Sequence, residues 1–364
     1  MKFNKFALSE LATIKYGKNQ KKVLSEGGNI PIYGTGGLMG YATTALYDKP
    51  SVLIGRKGTI GKVKYVEHPF WTVDTLFYTI VNTDIVLPKY LYYVMSLMDL
   101  NNYNEGTTIP SLRTETLNRL EFDIPSLVEQ ETILSCLNPI DEKIALNNAI
   151  NNNLEQQAQA LVKEYCASTD FEVPLGSIMN FVNGFAFQSK AYQKSGKYRI
   201  VTIKNVQDGR IDTKGAAYID DVPAKMKNEC YLQMGDILLS LTGNVGRVGI
   251  VFENNLLLNQ RVAKLTSSKD ILPLLYFFFR LSETKASLET IAKGTAQQNL
   301  SPIETLKLSL PYDEDKALIL SQTLKPIFDS IVNNSVESSK LAQLRDSLLP
   351  KLMSGELDVS NIEL

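Results

Sequence analysis

The stretch "GRKGTIGKVKYV", from Gly55 to Val66, has a counterpart in "SLTGNVGRVGIV", from Ser240 to Val251. Both contain Gly-x-x-Gly followed by a basic residue and Val. A phosphate-binding loop needs G-x-x-x-x-G-K-[ST], but the first stretch has Arg56 where the leading Gly belongs and Val63 where Ser or Thr belongs. We therefore interpret each stretch as a glycine turn, and its recurrence predicts a duplicated fold.

The similarity extends well beyond the two glycine turns. "YLYYVMSL" (Tyr90–Leu97) matches "LLYFFFRL" (Leu274–Leu281), and "DIPS" (Asp123–Ser126) matches "SLPY" (Ser309–Tyr312). The resulting period of about 186 residues is too long for a solenoid repeat, and it indicates two similar domains. Each copy consists of short β-type runs separated by turn residues, then a short helix and a long helix.

The long helices carry a regular seam. A capping box, Ser126-x-x-Glu129, opens the first helix. Spacings of four and three residues repeat over more than four heptads, which favours a coiled coil over two amphipathic helices packed against separate domains. The first seam is Ile133, Leu137, Ile140, Ile144, Asn147, Asn151, Leu154, Ala158, Leu161 and Tyr165, and the second is Leu320, Leu324, Ile327, Ile331, Asn334, Ser338, Leu341, Arg345, Leu348 and Leu352.

Two polar layers predict how the helices pair. In an antiparallel pair Asn147 faces Ser338 and Asn151 faces Asn334, so polar side chains meet each other rather than leucine. Buried polar layers set the register of a coiled coil at some cost in stability. About 33 residues per helix would make a rod of roughly 50 Å with a domain at each end, a geometry suited to a bipartite DNA site.

Charge alternates along the chain. Residues 1–124 hold 14 Lys and Arg against 11 Asp and Glu, and residues 171–310 hold 17 against 12. Residues 125–170 hold 2 against 7, and residues 311–364 hold 5 against 9. We expect basic domains that bind nucleic acid and acidic helices that bind protein. The expected fold class is α+β: two similar α/β domains, joined by two long helices in an antiparallel coiled coil, with a pseudo-two-fold internal repeat.

The residues that catalytic chemistry requires do not form convincing sets. Cys136, Cys166 and Cys230 are far apart, which indicates no disulfide framework and a reducing, cytoplasmic compartment, and His68 is the only histidine. No N-terminal signal peptide or membrane-spanning run is expected. We predict a binding protein that is not itself an enzyme and that binds no metal or cofactor. A stand-alone DNA-modifying enzyme and a scaffold that binds no DNA are the alternatives.

Two short motifs are rejected as chemical sites. "GTGGLMG" (Gly34–Gly40) has Met39 where a dinucleotide-binding fingerprint needs its last glycine. "NPID" (Asn138–Asp141) shares only Asn-Pro with the N-P-P-aromatic motif of DNA amino-methyltransferases, and it falls on the predicted coiled-coil helix. We interpret it as structural.

Polar loop residues are the candidates for DNA contact, since DNA binding needs cations for phosphates and amides or guanidinium groups for base edges. Arg56, Lys57 and Lys62 are predicted to contact phosphates. Asp74-Thr75 aligns with Asn259-Gln260, so the polar residues differ where the surrounding pattern repeats, as expected if the copies bind different sequences. The candidates are Lys18, Lys21, Lys22, Arg56, Lys57, Thr59, Lys62, Thr107, Thr108 and Arg113 in the first copy, and Lys204, Asn205, Asn244, Arg247, Gln260, Arg261, Gln297 and Gln298 in the second.

These features together resemble the specificity (S) subunits of type I restriction–modification systems. "IPSLVEQETI" (Ile124–Ile133) opens the first long helix and "LLPKLMSGELDV" (Leu348–Val359) closes the second, as in that family, and the resemblance covers essentially the whole chain. It implies target-recognition domains at 1–124 and 171–310, each of which binds one half of a bipartite double-stranded DNA site. It also implies spacer helices at 125–170 and 311–364.

The resemblance further implies partners. The spacer helices of the family dock two modification (methyltransferase) subunits, and restriction subunits join that complex. The S subunit is not catalytic, and S-adenosylmethionine is bound by the modification subunit. One departure is "YDEDKALI" in the second copy, which lacks the Glu-Gln of "VEQETI". We therefore expect the two docking surfaces to be unequal.

Overall fold

The computed structural model describes residues 1–293 and 299–360 of the chain. It divides into two compact units: residues 1–142 with 342–364, and residues 143–341. We call these the first unit and the second unit. Each long helix contributes residues to both.

The first unit begins with short strands and helices and leads into the first long helix. Its strands are β1 (Asn4–Ala7), β2 (Ala12–Tyr16), β3 (Ile30–Gly34), β4 (Gly37–Ala42), β5 (Ser51–Gly55), β6 (Val63–Val66), β7 (Trp71–Thr72), β8 (Leu76–Val81) and β9 (Glu121–Ile124). Its helices are α1 (Leu8–Leu11), α2 (Pro88–Ser96) and α3 (Thr114–Asn118), followed by α4 (Leu127–Ala167).

Two sheets and one ribbon organise the first unit. The order β2-β8-β5-β6 is antiparallel throughout, and in the order β4-β3-β7 the last pair is parallel. β1 pairs with β9, which brings Asn4 opposite Ile124. The central strand β5, "SVLIG", is buried along its whole length, as expected of an uninterrupted apolar run. Its core joins Val52 and Phe77 of the sheet to Tyr90 of α2, Ile133 of α4 and Leu352 of the second long helix.

The second unit also consists of short strands and helices that lead into a long helix, and it contains additional strands. Its strands are β10 (Glu172–Pro174), β11 (Asn180–Asn183), β12 (Tyr198–Val201), β13 (Val206–Gln207), β14 (Gly209–Ile211), β15 (Tyr218–Ile219), β16 (Tyr231–Leu232), β17 (Ile237–Ser240), β18 (Val248–Ile250), β19 (Leu256–Leu258), β20 (Val262–Thr266) and β21 (Ser309–Pro311). Its helices are α5 (Leu272–Phe279), α6 (Ser282–Lys293) and α7 (Pro302–Thr305), followed by α8 (Glu314–Met353).

Strand order shows the duplication directly. The run β11-β20-β17-β18 has the order and antiparallel pairing of β2-β8-β5-β6, and β15-β12-β19 has those of β4-β3-β7, including the parallel last pair. β10 pairs with β21 as β1 pairs with β9. β13 and β14, which the first unit lacks, extend the sheet beyond β18. The expected fold class, with two similar α/β domains, is confirmed.

Strand register corrects the alignment between the copies at one point. Gly55 lies opposite Leu76 in the first unit, and Ser240 lies opposite Val262 in the second. Gln260 is therefore the equivalent of Asp74, and the match of Asp74 to Asn259 was wrong by one residue. Only the pairing between strands determines this register, because no residue identity marks it in the loop.

The two long helices are antiparallel. The capping box is present at the start of α4, where Ser126 N donates to Glu129 Oε2 at 2.9 Å and Glu129 N donates to Ser126 Oγ at 3.3 Å. In the second unit Asn147 Nδ2 donates to Ser338 Oγ at 3.2 Å, and Asn334 Nδ2 donates to Asn151 Oδ1 at 2.9 Å. These crosswise contacts fix the register of the two helices. Among the described residues, no helix is both long and apolar enough to cross a membrane.

The one charged seam position has a partner on the other helix. Arg345 Nη1 donates to Asp141 Oδ1 at 3.0 Å within the first unit. Asp141 also accepts a hydrogen bond from the Tyr93 hydroxyl of α2, and its Oδ2 lies 3.7 Å from Lys89 Nζ. The last residue of "NPID" therefore links α2, α4 and α8.

Candidate DNA interface

Each glycine turn is held by a second loop of its own unit. Lys57 and Ser111 form an antiparallel backbone bridge, and Gly58 N donates to Pro110 O at 2.9 Å. Gly58 has φ +85°, a conformation that glycine adopts without strain. In the second unit Thr242 and Asn299 form the equivalent bridge. The turn is thus part of a repeated backbone framework.

Loops at one end of the sheet β2-β8-β5-β6 bring several first-unit candidates together. Lys18 N donates to Thr72 O at 2.8 Å, which joins the loop after β2 to the end of β7. Arg56 N donates to Thr75 O at 2.9 Å, which joins the loop after β5 to the loop before β8. The bridge at Lys57 adds the loop that contains Thr107 and Thr108. Most of the first-unit candidates are exposed: Lys18, Lys21, Lys22, Lys57, Thr59, Lys62, Thr107, Thr108 and Arg113.

Arg56 and Arg113 differ from the lysines because their side chains are held. Arg56 is half-buried, its Nη1 donates to Asp74 O at 2.9 Å, and its guanidinium carbon lies 5.0 Å from the centre of the Tyr16 ring. Arg113 Nε lies 3.2 Å from Glu105 Oε2. Arg113 is thus partly neutralised by its own unit, whereas the exposed lysines are available for phosphates.

The second unit presents a different set of polar groups. Lys204, Asn244, Gln260 and Arg261 are exposed, and Arg261 has φ +73°. Arg247 is half-buried, and its Nη1 donates to Gln207 Oε1 at 2.6 Å. Gln297 and Gln298 lie outside the described residues.

Asn205 has to be removed from the candidate interface. It is 6% exposed, and its Oδ1 accepts hydrogen bonds from the Thr202 backbone N–H and hydroxyl, both at 2.8 Å. Its Nδ2 donates to Asp212 O at 2.9 Å. The prediction for this residue was wrong because asparagine often caps its own loop, where the side chain bonds to nearby backbone.

A cavity of about 280 Å³ lies beside the second glycine turn. Its lining combines Asn244 and Arg247 of the turn region with Lys285 and Glu289 of α6. Lys285 Nζ is itself 2.8 Å from Asp208 Oδ2. The cavity therefore carries mixed charge, in contrast to Lys57 and Lys62 of the first unit, which form no ion pair with any residue that the structure describes.

Sequence reasoning missed the residues that hold the arginines. Tyr16 is 51% exposed at the end of β2, and its ring supports Arg56. Gln207 of β13 holds Arg247. An aromatic residue immediately before the loop glycine Gly17 was the available signal for Tyr16, but its contact with Arg56 depends on the pairing of β2 with β8 and β8 with β5.

Two copies of one fold, each with basic residues on loops that follow equivalent strands, define a duplicated binding protein. The family model of the type I restriction modification DNA specificity domain matches residues 1–156 and 169–341. The chain therefore belongs to the family of type I restriction–modification DNA specificity proteins. The function of this chain is to recognise a DNA sequence.

Individual relatives agree with this assignment. The type I restriction enzyme MjaIX specificity subunit of Methanocaldococcus jannaschii is 26% identical over 352 residues, which cover 87% of this chain and 80% of that protein. The type I restriction enzyme HindI specificity subunit of Haemophilus influenzae is 22% identical over 387 residues, with coverage of 82% and 84%. Both matches therefore extend over most of each protein.

A solved structure has the same fold. The type I restriction–modification S subunit from M. genitalium superimposes with a TM-score of 0.59 over 97% of this chain and 96% of that one, at 18% identity. At this identity the likeness concerns the fold alone.

Proposed function

We propose that this chain is the specificity subunit of a type I restriction–modification complex and binds a bipartite double-stranded DNA site. Residues 1–124 would bind one half-site and residues 171–310 the other. The observation that carries the proposal is the duplicated backbone framework with unlike polar side chains. Lys57 and Ser111 in the first unit take the place of Thr242 and Asn299 in the second. Equivalent loops with different side chains suit two different half-sites.

The long helices, in this proposal, separate the half-sites. Residues 125–170 and 311–364 would act as the spacer, and the polar pairs at Asn147 and Asn151 support a single register for it. A fixed register gives a fixed length, because a slip by one heptad would place an asparagine against an aliphatic residue.

The same helices would dock the partners. We propose two methyltransferase subunits on the acidic helices, with restriction subunits joining the complex in the cytoplasm. S-adenosylmethionine would bind to the methyltransferase subunit, and this chain would carry out no catalysis. The relatives support a subunit role, since both are named as specificity subunits of type I restriction enzymes.

A domain exchange tests the proposal. Residues 1–124 are replaced by the corresponding domain of another specificity subunit, and the methylated sites of the host genome are sequenced with the wild-type chain, the hybrid and no chain. We expect one half-site to change while the other half-site and the spacing stay the same. The reciprocal exchange of residues 171–310 is the matched control and should change only the other half.

The outcomes separate the candidate functions. A change in both half-sites would refute the modular arrangement. Binding of S-adenosylmethionine by the purified chain, with methylation in the absence of any partner, would identify a stand-alone enzyme. A chain that leaves the methylation pattern unchanged and has no salt-dependent affinity for DNA would be a scaffold of another kind.

A further inference from the structure

Arg56 occupies a position where both backbone groups are fixed. It follows β5 directly, its N–H donates to Thr75 O, and its carbonyl accepts from Leu112 N, both at 2.9 Å. These bonds tie the residue to the loop before β8 and to the loop that holds the glycine turn. The backbone of Arg56 is therefore held as firmly as that of a residue within a strand.

The guanidinium group is fixed as well. Nη1 donates to Asp74 O at 2.9 Å, and the group lies over the ring of Tyr16 at 5.0 Å. That ring is in turn set edge-on against Phe77, with 5.0 Å between ring centres. No ion pair forms at Arg56 in the part of the chain that the structure describes. Four of its five N–H donors remain for a ligand.

The second unit has a different residue in the same place. Leu241 N donates to Arg261 O at 2.9 Å, and Leu241 O accepts from Leu300 N at 2.7 Å, so its backbone is held as that of Arg56 is. Its side chain is 7% exposed. The framework is common to both units, but only the first unit places a guanidinium there.

We propose that Arg56 recognises a guanine base in the half-site of the first unit, an inference that rests on the proposed function. Arginine binds guanine O6 and N7 with two parallel N–H groups, which requires a defined orientation of the guanidinium plane. Asp74 O and the Tyr16 ring supply that orientation before DNA binds. A phosphate contact needs only a positive charge, which the exposed lysines near Arg56 already provide. It would not require a guanidinium held in one orientation.

The test compares R56K with wild type in binding selection. The purified full-length chain is incubated with duplexes whose two half-sites are randomised, and the bound DNA is sequenced. Lysine keeps the charge and loses the planar pair of donors. We expect R56K to lose discrimination for a G·C pair at one position of one half-site by about 5- to 150-fold. The other half-site should be unchanged.

Two further variants keep the test decisive. Y16L leaves Arg56 in place and removes its support, so it should weaken the preference at the same base pair. K57A, at the neighbouring lysine, should lower the affinity for all sequences evenly and leave the base preference intact. Circular dichroism melting curves of each variant identify any that fails to fold.

The opposing results are distinct. Full base discrimination in R56K, with an unchanged salt dependence of binding because lysine keeps the charge, would make Arg56 a phosphate contact and overturn the inference. A loss of preference in both half-sites would also overturn it. A wild-type chain that selects no sequence would refute the proposed function itself, and the inference with it.

Discussion

Asp141 on α4 and Arg345 on α8 form an ion pair in the first unit, with 3.0 Å between Oδ1 and Nη1. The side chains are 23% and 27% exposed, so solvent screens the pair only in part. Arg345 stands at a seam position where most others are aliphatic, and its charge is compensated by Asp141 across the seam and by the adjacent Asp346, whose Oδ1 lies 2.8 Å from Arg345 Nη2. The pair makes the unit depend on both long helices.

Removal of either partner should destabilise the first unit. We expect D141A or R345A to lower the free energy of unfolding by about 1–3 kcal/mol, because the remaining group loses a charge-assisted hydrogen bond. The measurement is urea denaturation of both single variants and the double variant. The double variant should be less destabilised than the sum of the two, by about 0.5 kcal/mol or more. Additive effects would show that the pair contributes nothing.

Acid should weaken the paired helices of the second unit through Glu337. The pKa of Glu337 is lowered below its ordinary value of 4.5. The largest cause is the hydrogen bond from Asn147, and the hydrogen bond and charge of Lys143 lower the pKa further. The folded state therefore favours the carboxylate. The stabilisation is present above pH 4.5 and disappears as the pH falls through the lowered pKa. Urea denaturation from pH 3 to pH 7 measures it.

The matched variant for this experiment is E337Q, which cannot ionise. We expect the difference in unfolding free energy between wild type and E337Q to grow as the pH rises and then to level off. A difference that stays constant over the whole range would show that Glu337 is not the titrating group.

Gly17 and Gly184 should be intolerant of any side chain. A Cβ at Gly17 would lie 2.0 Å from Val73 O, and a Cβ at Gly184 would lie 2.0 Å from Asn259 O. Both contacts are with backbone, which cannot move aside without disturbing the loop. We expect G17A and G184A each to destabilise the protein by about 1–3 kcal/mol in thermal unfolding.

Gly36 is the control, because nothing lies within 4 Å of a Cβ built there. G36A should leave the melting temperature nearly unchanged. An equal effect of all three substitutions would argue that backbone entropy, rather than close approach to a carbonyl, explains the destabilisation by G17A and G184A.

Salt should weaken DNA binding in proportion to the phosphates that the lysines neutralise. Each of K57A and K62A should reduce the slope of log affinity against log salt by about 1. Lys5, exposed and paired with Glu121 at 3.3 Å, provides a control substitution outside the candidate interface. The measurement is fluorescence anisotropy at several salt concentrations. If K5A reduces the slope as much as K57A does, the lysines at the glycine turn have no specific role in phosphate binding.

Paired deletion of one heptad from each long helix should shorten the half-site spacing. Removing residues 143–149 and 336–342 keeps the antiparallel seam in step and shortens each helix by about 10 Å, or about 3 base pairs of DNA. Sequencing of the bound or methylated sites gives the spacing. Deletion of residues 143–149 alone should instead break the seam and abolish assembly. An unchanged spacing in the paired deletion would refute the spacer role.

Features that depend on neighbours in the chain could be predicted well. The capping box at Ser126 needs only residues three apart, and the helical seam needs only a period of 3.5 residues. The two polar positions of each seam were sufficient to orient the helices, since antiparallel pairing places Asn147 against Ser338.

Features that depend on contacts between distant strands could not be predicted in the same way. Asp74 was aligned one residue away from its true equivalent, Gln260, because the register of β8 and β20 is set by pairing with β5 and β17. Asn205 was taken for an exposed loop residue, although Asp212 O and Thr202 enclose its amide. The sequence alone identifies neither the strand register nor the groups that bond to the Asn205 side chain.

By itself, the sequence determined the duplication, the long helices and the alternating charge. These features follow from local periodicity and from residues that recur at a constant offset along the chain. Only the tertiary structure decided which polar side chains are available to a ligand. Arg56 and Asn205 are both polar loop residues, but the first is supported at the surface by Tyr16 and Asp74 O while the second is enclosed. The physical reason is that strand register, a contact between distant parts of the chain, determines what surrounds each loop.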